Sequence, residues 1–175
     1  MEQFFLTCAF AFALAGAVKD VRGGRIPNWL TYSGILAALV FRGFLAGFPG
    51  LKAGVLGMLT GGGLFVILFF LGGMGGGDVK LMAAASAWAG SAQVVNLLIA
   101  TVIAGGILAV LYMVFRRRVS EALLNTVELI RHHLTSGLKP HPELNVREPE
   151  TMRVPYGVAI AIGTLYCLGR MSSWG

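Results

Sequence analysis

Long apolar stretches alternate with short polar segments along the 175-residue chain. A hydrocarbon core about 30 Å thick is crossed by roughly 20 apolar residues in a helix, so each long apolar stretch is a candidate membrane span. The pattern predicts an all-α polytopic membrane protein with about six transmembrane helices. The predicted spans are Glu2 to Val18, Trp29 to Phe48, Ala53 to Leu71, Val79 to about Val95, Asn96 to Phe115 and Val154 to Leu168, with the fourth and fifth divided near Gly90 to Asn96.

Composition agrees with a membrane protein. The chain is 56% hydrophobic and 13% charged, whereas about 25% of the residues in a soluble domain carry charge. The first span contains Ala13-Leu14-Ala15, which is similar to a signal-peptide cleavage site. Its cations, Lys19, Arg22 and Arg25, follow the apolar core instead of preceding it, so we expect a retained span.

The basic residues predict the orientation of the chain. Lys and Arg accumulate on the cytoplasmic side of a membrane, and their distribution places the N-terminus outside. The net charge of +6 is explained by this distribution, and no aromatic-basic pattern indicates nucleic acid. Eleven cations, Lys19, Arg22, Arg25, Lys80, Arg116, Arg117, Arg118, Arg131, Lys139, Arg147 and Arg153, fall on the predicted cytoplasmic side, and three, Arg42, Lys52 and Arg170, fall opposite.

We interpret residues 1–175 as a single membrane-embedded domain with a cytoplasmic insertion at about 116–153. Within this insertion, apolar residues at helical spacing from Val119 to Leu134 predict an amphipathic helix, lying either in the headgroup layer or on the inner helix ends. No Cys, Asp or Glu stands at ligand spacing to the histidines that follow, so no metal site is predicted. Cys8 and Cys167 are expected to be packed thiols.

Glycines are concentrated in the apolar part of the chain, which contains most of the 25 glycines. Gly43 and Gly47, and likewise Gly57 and Gly61, are four residues apart. Small residues at this spacing let helix backbones approach closely in lipid, so we expect them to be packing positions.

The chain contains only two Asp residues, Asp20 and Asp78, and both fall at predicted cytoplasmic ends of spans. A charged side chain at a helix centre costs about 2.5–3.5 kcal/mol on insertion scales, and ionisable groups near the membrane are candidates for function. Simpler interpretations exist for each residue. Asp20 could be a solvated headgroup residue beside Lys19 and Arg22, and Asp78 could be the N-cap of the fourth helix.

Asp78 follows a loop with almost no side chains, Gly72 to Gly77, which another chain can approach closely. Two carboxylates brought together there cannot both ionise easily, so one pKa rises and the pair holds one proton near neutrality. One carboxyl group can then accept a proton from water while the other hydrogen-bonds a scissile carbonyl. This chemistry is that of an aspartic peptidase.

Two segments carry a family resemblance. Gly75-Gly76-Gly77-Asp78-Val79-Lys80-Leu81 resembles the Gly-x-Gly-Asp motif and following x-Lys-Leu of the prepilin peptidases. The segment from Asp20 to Asn28 is similar to the first-aspartate segment of that family, with Arg22 and Ile26-Pro27-Asn28 at the matching places. Val154-Pro155-Tyr156-Gly157 resembles the Pro-aromatic-Gly element of the family.

The resemblance implies a bacterial inner-membrane endopeptidase, with its active site facing the cytoplasm, that removes the basic leader of type IV-like prepilins just before their hydrophobic helix. The chain lacks an N-terminal extension with paired Cys-x-x-Cys motifs, so it resembles the short form of the Flp or tight-adherence pili. No S-adenosylmethionine, other cofactor or N-methyltransferase activity is expected. The implied catalytic residues are Asp20 and Asp78, and the implied supporting residues are Gly75, Gly77, Lys80, Arg22, Asn28, Pro155 and Gly157.

Four further alternatives remain at this point. Lys80 could be a topology charge, and Asn28 could cap the second helix. The whole chain could be a small transporter or channel component that binds a cation between the two aspartates, as discontinuous helices also occur in transporters. A non-enzymatic scaffold would explain the small-residue packing but leaves the two motifs unexplained.

Overall fold

The computed structural model describes residues 1–23, 26–71, 74–115 and 155–172. Every regular element in these ranges is a helix, which confirms the all-α prediction. The insertion at 116–153, with its predicted amphipathic helix and histidines, lies outside the described residues. The helices are α1 (Glu2–Gly23), α2 (Asn28–Phe70), α3 (Gly76–Phe115) and α4 (Tyr156–Ser172).

Three of the described helices, α1, α2 and α3, are long and apolar enough to cross a membrane. Large apolar side chains lie on the outside of the molecule, and Phe44 and Phe115 are 86% and 83% exposed. Such extensive exposed apolar surface is unfavourable in water and favourable in lipid. The structure therefore belongs to the helical membrane class, while the count of six crossings stays a prediction.

α2 is interrupted at Gly47, where φ is 62° and ψ is −157°. This backbone region is essentially restricted to glycine. A Cβ atom on Gly54 would lie 3.2 Å from the Leu39 side chain, although these residues would be about 22 Å apart along a straight helix. α2 therefore folds back on itself. Gly47, which we expected to be a packing residue, is instead the residue at which the helix reverses.

α3 has the same construction, with its interruption at Gly90 (φ 71°, ψ 176°). The Tyr156 side chain of α4 packs on Gly105 and lies within electrostatic reach of Asp78. Gly105 and Asp78 would be about 40 Å apart along a straight helix, so the two halves of α3 must run back alongside each other. The break at Gly90 agrees with the division predicted between the fourth and fifth spans.

Glycine provides the closest contacts between helices. The Ser86 hydroxyl occupies the space where a Gly61 side chain would begin, and the Thr101 hydroxyl does the same at Gly163. Close approach of helix backbones at small residues is the usual way helices associate in lipid. The expectation that Gly61 is a packing position is confirmed.

One buried cation joins several segments at the end of the molecule away from Asp20 and Asp78. Arg42 is 2% exposed. Its Nε and Nη2 atoms donate to the carbonyl of Trp88 at 3.1 and 2.8 Å, and Nη2 also pairs with Glu2 at 3.0 Å. This carbonyl lies at the end of the first half of α3, where helix carbonyls lack intrahelical partners. Arg42 thus satisfies the helix end at the Gly90 break and ties it to α1.

Cys8 and Cys167 are both free. α1 and α4 are neighbours, since Gln3 near the start of α1 hydrogen-bonds Ser172 at the end of α4. Cys167 is buried in the larger apolar core cluster, whereas Cys8 packs against a second cluster. The two thiols are therefore packed as predicted, each in a different apolar cluster.

Candidate active site

Asp20 lies in the last turn of α1 and is half-buried. Its Oδ2 atom accepts a hydrogen bond of 3.0 Å from the backbone N–H of Gly157. Gly157 is the second residue of α4, and the first N–H groups of a helix have no intrahelical acceptor. The positive end of the α4 dipole also favours a carboxylate at this position. α4 therefore fixes one oxygen of Asp20, so Asp20 is more than a solvated headgroup residue.

Asp78 lies within the first turn of α3, two residues after its start at Gly76. The alternative that it is the N-cap is therefore wrong. Its carboxylate accepts a backbone hydrogen bond from Gly75, which corresponds to the reciprocal half of a capping box. The Oδ1 atom is buried and has no hydrogen-bond partner among the described residues. One carboxylate oxygen of Asp78 is thus held by the backbone, and the other is available for a further hydrogen bond.

The structure brings these two remote carboxylates together. The charge of Asp20 acts directly on the Asp78 carboxyl group. Neither forms an ion pair with a described Lys or Arg, although Lys19, Arg22 and Lys80 are close to them in sequence. Burial raises the pKa of both carboxyl groups, and the like charge of Asp20 raises the pKa of Asp78 further. The arrangement therefore favours a state in which the pair retains a proton.

Lys80 is directed to α2 instead of to the carboxylates. Its Nζ atom donates to Asn28 Oδ1 at 2.9 Å and lies 5.2 Å from the centre of the Tyr32 ring. Pro27 is the N-cap of α2 and no side chain caps this end, so the alternative that Asn28 caps the helix is wrong. The Lys80–Asn28 contact joins the starts of α2 and α3, which connects the two motif segments.

The predicted glycines lie where space for a side chain is restricted. A Cβ atom on Gly75 would be 3.0 Å from Asp78 Oδ2, and one on Gly77 would be 3.2 Å from Ile26 Cβ. Gly77 therefore permits close contact between the two motif segments. Pro155 directly precedes α4, and its carbonyl accepts the N–H of Val158 at 3.1 Å.

Arg22 has a different position from the other supporting residues. It is exposed and lines an apolar groove of about 430 Å³ between α1 and α4. No described contact joins it to either carboxylate, so the structure does not bring it to the pair. Among the described residues, no group of three His, Cys, Asp or Glu side chains has a metal-binding arrangement.

Tyr156, the aromatic residue of the segment that resembles the Pro-aromatic-Gly element, is not among the predicted site residues but lies in the site. It is half-buried at the first position of α4. Its ring packs on Gly105, where a Cβ atom would be 3.3 Å from Cε1, and the charge of Asp78 acts on it. The signal available in the sequence was its place between Pro155 and Gly157.

The fold and the site define a helical membrane protein in which two acidic side chains from different helices lie together at helix ends. Residues 7–110 match the type IV leader peptidase family. The chain belongs to this family and is a peptidase. The matched range includes both aspartates and ends before α4, which supplies the Gly157 donor. No curated protein and no solved structure matches the chain.

The contact between Gly157 and α1 yields a prediction for peptidase activity. In a Gly157→Ala variant, the new Cβ atom would lie 3.1 Å from both Asp20 Oδ2 and the Ala17 Cα atom. α4 must then move away from α1, which lengthens the hydrogen bond to Asp20. We expect cleavage to slow by about 10- to 100-fold, since small displacements in active sites have effects of this order. Initial cleavage rates of the purified variants measure it.

Gly169→Ala is the matched control, because a Cβ atom there has nothing within 4 Å. Alanine favours a helix over glycine by roughly 0.5–1 kcal/mol, so neither substitution should weaken α4 itself. Equal cleavage rates for the Gly157 and Gly169 variants would contradict a role for the Gly157–Asp20 contact.

Proposed function

We propose that this chain is an aspartic endopeptidase in which Asp20 and Asp78 together activate water against a peptide bond. The observation that supports this most strongly is the approach of two remote carboxylates with no described cation paired to either. The ionised member of the pair accepts a proton from the attacking water. The protonated member hydrogen-bonds the carbonyl oxygen and later protonates the leaving amine. Because the two groups titrate together, acid and base belong to the pair and not to one residue.

The surroundings of the pair suit this mechanism. The backbone N–H groups of Gly157 and Gly75 each hold one carboxylate. Donors fixed in this way limit side-chain rotation and keep reacting groups oriented before substrate binds. The Asp78 Oδ1 atom, which has no partner in the described part of the chain, can accept a hydrogen bond from water or from substrate. Each carboxyl group is therefore oriented by a backbone N–H group and can still take part in proton transfer.

We propose type IV-like prepilins, and specifically those of the Flp type, as substrates. Membership of the leader peptidase family supports removal of a leader, and the Flp assignment is tested below. Cleavage takes place just before the hydrophobic helix of the prepilin, and that helix reaches the site laterally through the lipid. The proposed enzyme crosses the bacterial inner membrane six times, cleaves on the cytoplasmic side and does not use S-adenosylmethionine.

Reconstitution with substrate tests this proposal. The purified chain is placed in lipid vesicles with either a Flp-type prepilin or a longer type IV prepilin, and leader loss is followed by gel mobility and mass spectrometry. We expect cleavage at the boundary between leader and hydrophobic helix, with the Flp-type substrate cleaved faster. Cleavage of both at equal rates would contradict the Flp assignment alone.

The helix breaks at Gly47 and Gly90 are the feature that a transporter would share. Cation flux is therefore measured in the same vesicles without prepilin. Our proposal predicts cleavage without flux. If prepilin stays intact and the cation flux depends on Asp20 and Asp78, the peptidase proposal is wrong and the chain is a transporter.

A further inference from the structure

Reaction at the carboxyl pair creates a need for a hydrogen-bond donor. When water adds to the scissile carbonyl, negative charge develops on the carbonyl oxygen, and donors directed at that oxygen accelerate acyl transfer. A carboxyl pair that retains one proton supplies one such donor. A second donor would have to come from another group close to Asp20 and Asp78.

Most described donors near the pair already have acceptors. The N–H groups of Gly157 and Gly75 are bound to the two carboxylates themselves. The Lys80 ammonium donates to Asn28. Arg22 is exposed on the groove between α1 and α4 and makes no described contact with the pair. Gly157, Gly75 and Lys80 are therefore already engaged within the site, and among the described residues Arg22 does not contact the pair.

Tyr156 has the position and the chemistry of the second donor. It directly precedes Gly157, which contacts Asp20, and it lies within electrostatic reach of Asp78. Its backbone is therefore adjacent to the residue that holds Asp20, and its side chain is within electrostatic reach of Asp78. A phenol is a neutral O–H donor at physiological pH, so it can donate without forming an ion pair that would hold a carboxylate permanently ionised.

The packing of the ring keeps Tyr156 at this position. Its aromatic atoms lie against Gly105, where a Cβ atom would be 3.3 Å from Cε1 and 3.7 Å from Cδ1. The ring also packs against the apolar core cluster that includes Leu81. A side chain held by packing loses little rotational freedom when it donates a hydrogen bond.

We infer that Tyr156 is a third catalytic residue, whose hydroxyl donates a hydrogen bond to the carbonyl oxygen of the scissile peptide as it becomes negatively charged. No covalent bond to tyrosine forms and its proton is not transferred. The inference rests on the proposed endopeptidase function and adds a residue outside the part of the chain that matches the family.

A Tyr156→Phe variant tests the inference, because it removes only the hydroxyl and retains the ring on Gly105. We expect kcat for prepilin cleavage to fall on the order of 10²-fold, as for removal of one donor to a developing oxyanion. KM should stay within about twofold of wild type, since the hydrogen bond strengthens only in the transition state. The thermal unfolding midpoint should not change.

Tyr166→Phe is the matched control, because Tyr166 lies on the same helix and is 54% exposed; its kinetics should equal those of wild type. A Tyr156→Leu variant removes the aromatic ring as well as the hydroxyl, so its comparison with Tyr156→Phe separates packing from hydrogen bonding. If Tyr156→Phe has wild-type kcat, or if its defect lies in KM alone, the inference is wrong and Tyr156 acts by packing. If the wild-type chain itself leaves prepilin intact, the proposed function is wrong instead, so the two failures are distinguishable.

Discussion

Asparagine at position 20 or at position 78 is expected to abolish leader removal while the protein still folds. Each amide retains one oxygen that can accept the hydrogen bond now made by Gly157 or Gly75, so local structure should persist. The amide can neither accept a proton from water nor share one with the other carboxylate. We expect the cleavage rate to fall on the order of 10⁴-fold, the upper range for loss of general acid–base catalysis. Time courses of leader loss provide the measurement.

Glu2→Gln is the control for this experiment. It makes the same change from carboxylate to amide on the same helix, but at the opposite end of α1, where Glu2 pairs with Arg42. The Glu2 side chain is 44% exposed, and such partly exposed ion pairs contribute about 0–1 kcal/mol. Cleavage by this variant should remain within a few fold of wild type. If either aspartate variant cleaves prepilin at a rate comparable to that of Glu2→Gln, Asp20 and Asp78 are not a catalytic pair.

Alanine at Gly90 is expected to have the largest effect on stability. Gly47 and Gly90 both have positive φ, 62° and 71°, and placing another residue in this region costs about 1–3 kcal/mol. At Gly90 the new Cβ atom would also lie 2.7 Å from Arg42 Cζ. The guanidinium must then move and leave the buried Trp88 carbonyl unpaired, which costs a further 1–3 kcal/mol, approximately.

Gly47→Ala separates these two effects, because its Cβ atom would meet nothing closer than Pro49 Cδ at 3.8 Å. Thermal unfolding in detergent micelles should give the lowest midpoint for Gly90→Ala, an intermediate one for Gly47→Ala, and a midpoint near wild type for Gly63→Ala, which has open space. Equal midpoints for the Gly90 and Gly47 variants would show that the Arg42 contact contributes nothing.

The hydropathy pattern was sufficient to predict the helical membrane class and the place where α3 is interrupted. The apolar run of α3 is longer than one membrane crossing requires, so an interruption is expected within it. The structure has this interruption at Gly90. The resemblance of two motifs predicted that Asp20 and Asp78 belong to one site, and the structure places them within electrostatic reach of each other. These predictions depend on length, composition and motif order, which are properties of the sequence alone.

Side-chain partners could not be predicted in the same way. Helices that are apolar on all sides carry no periodic signal of which face meets which neighbour. The burial of Arg42, the Lys80–Asn28 bond and the Gly157–Asp20 bond depend on rotation and register between helices. For this reason the sequence predicts only the membrane side of Arg42, leaves Asn28 as a possible cap, and does not indicate what Tyr156 contacts.

The donor to Asp20 comes from α4, whereas Asp20 itself belongs to α1. Proteins are synthesised from the N-terminus, so α1 leaves the ribosome long before Gly157 is made. A nascent chain that has completed α3 therefore contains both aspartates but lacks the backbone group that orients the first. The hydrogen bond from Gly157 to Asp20 can therefore form only after α4 has been synthesised.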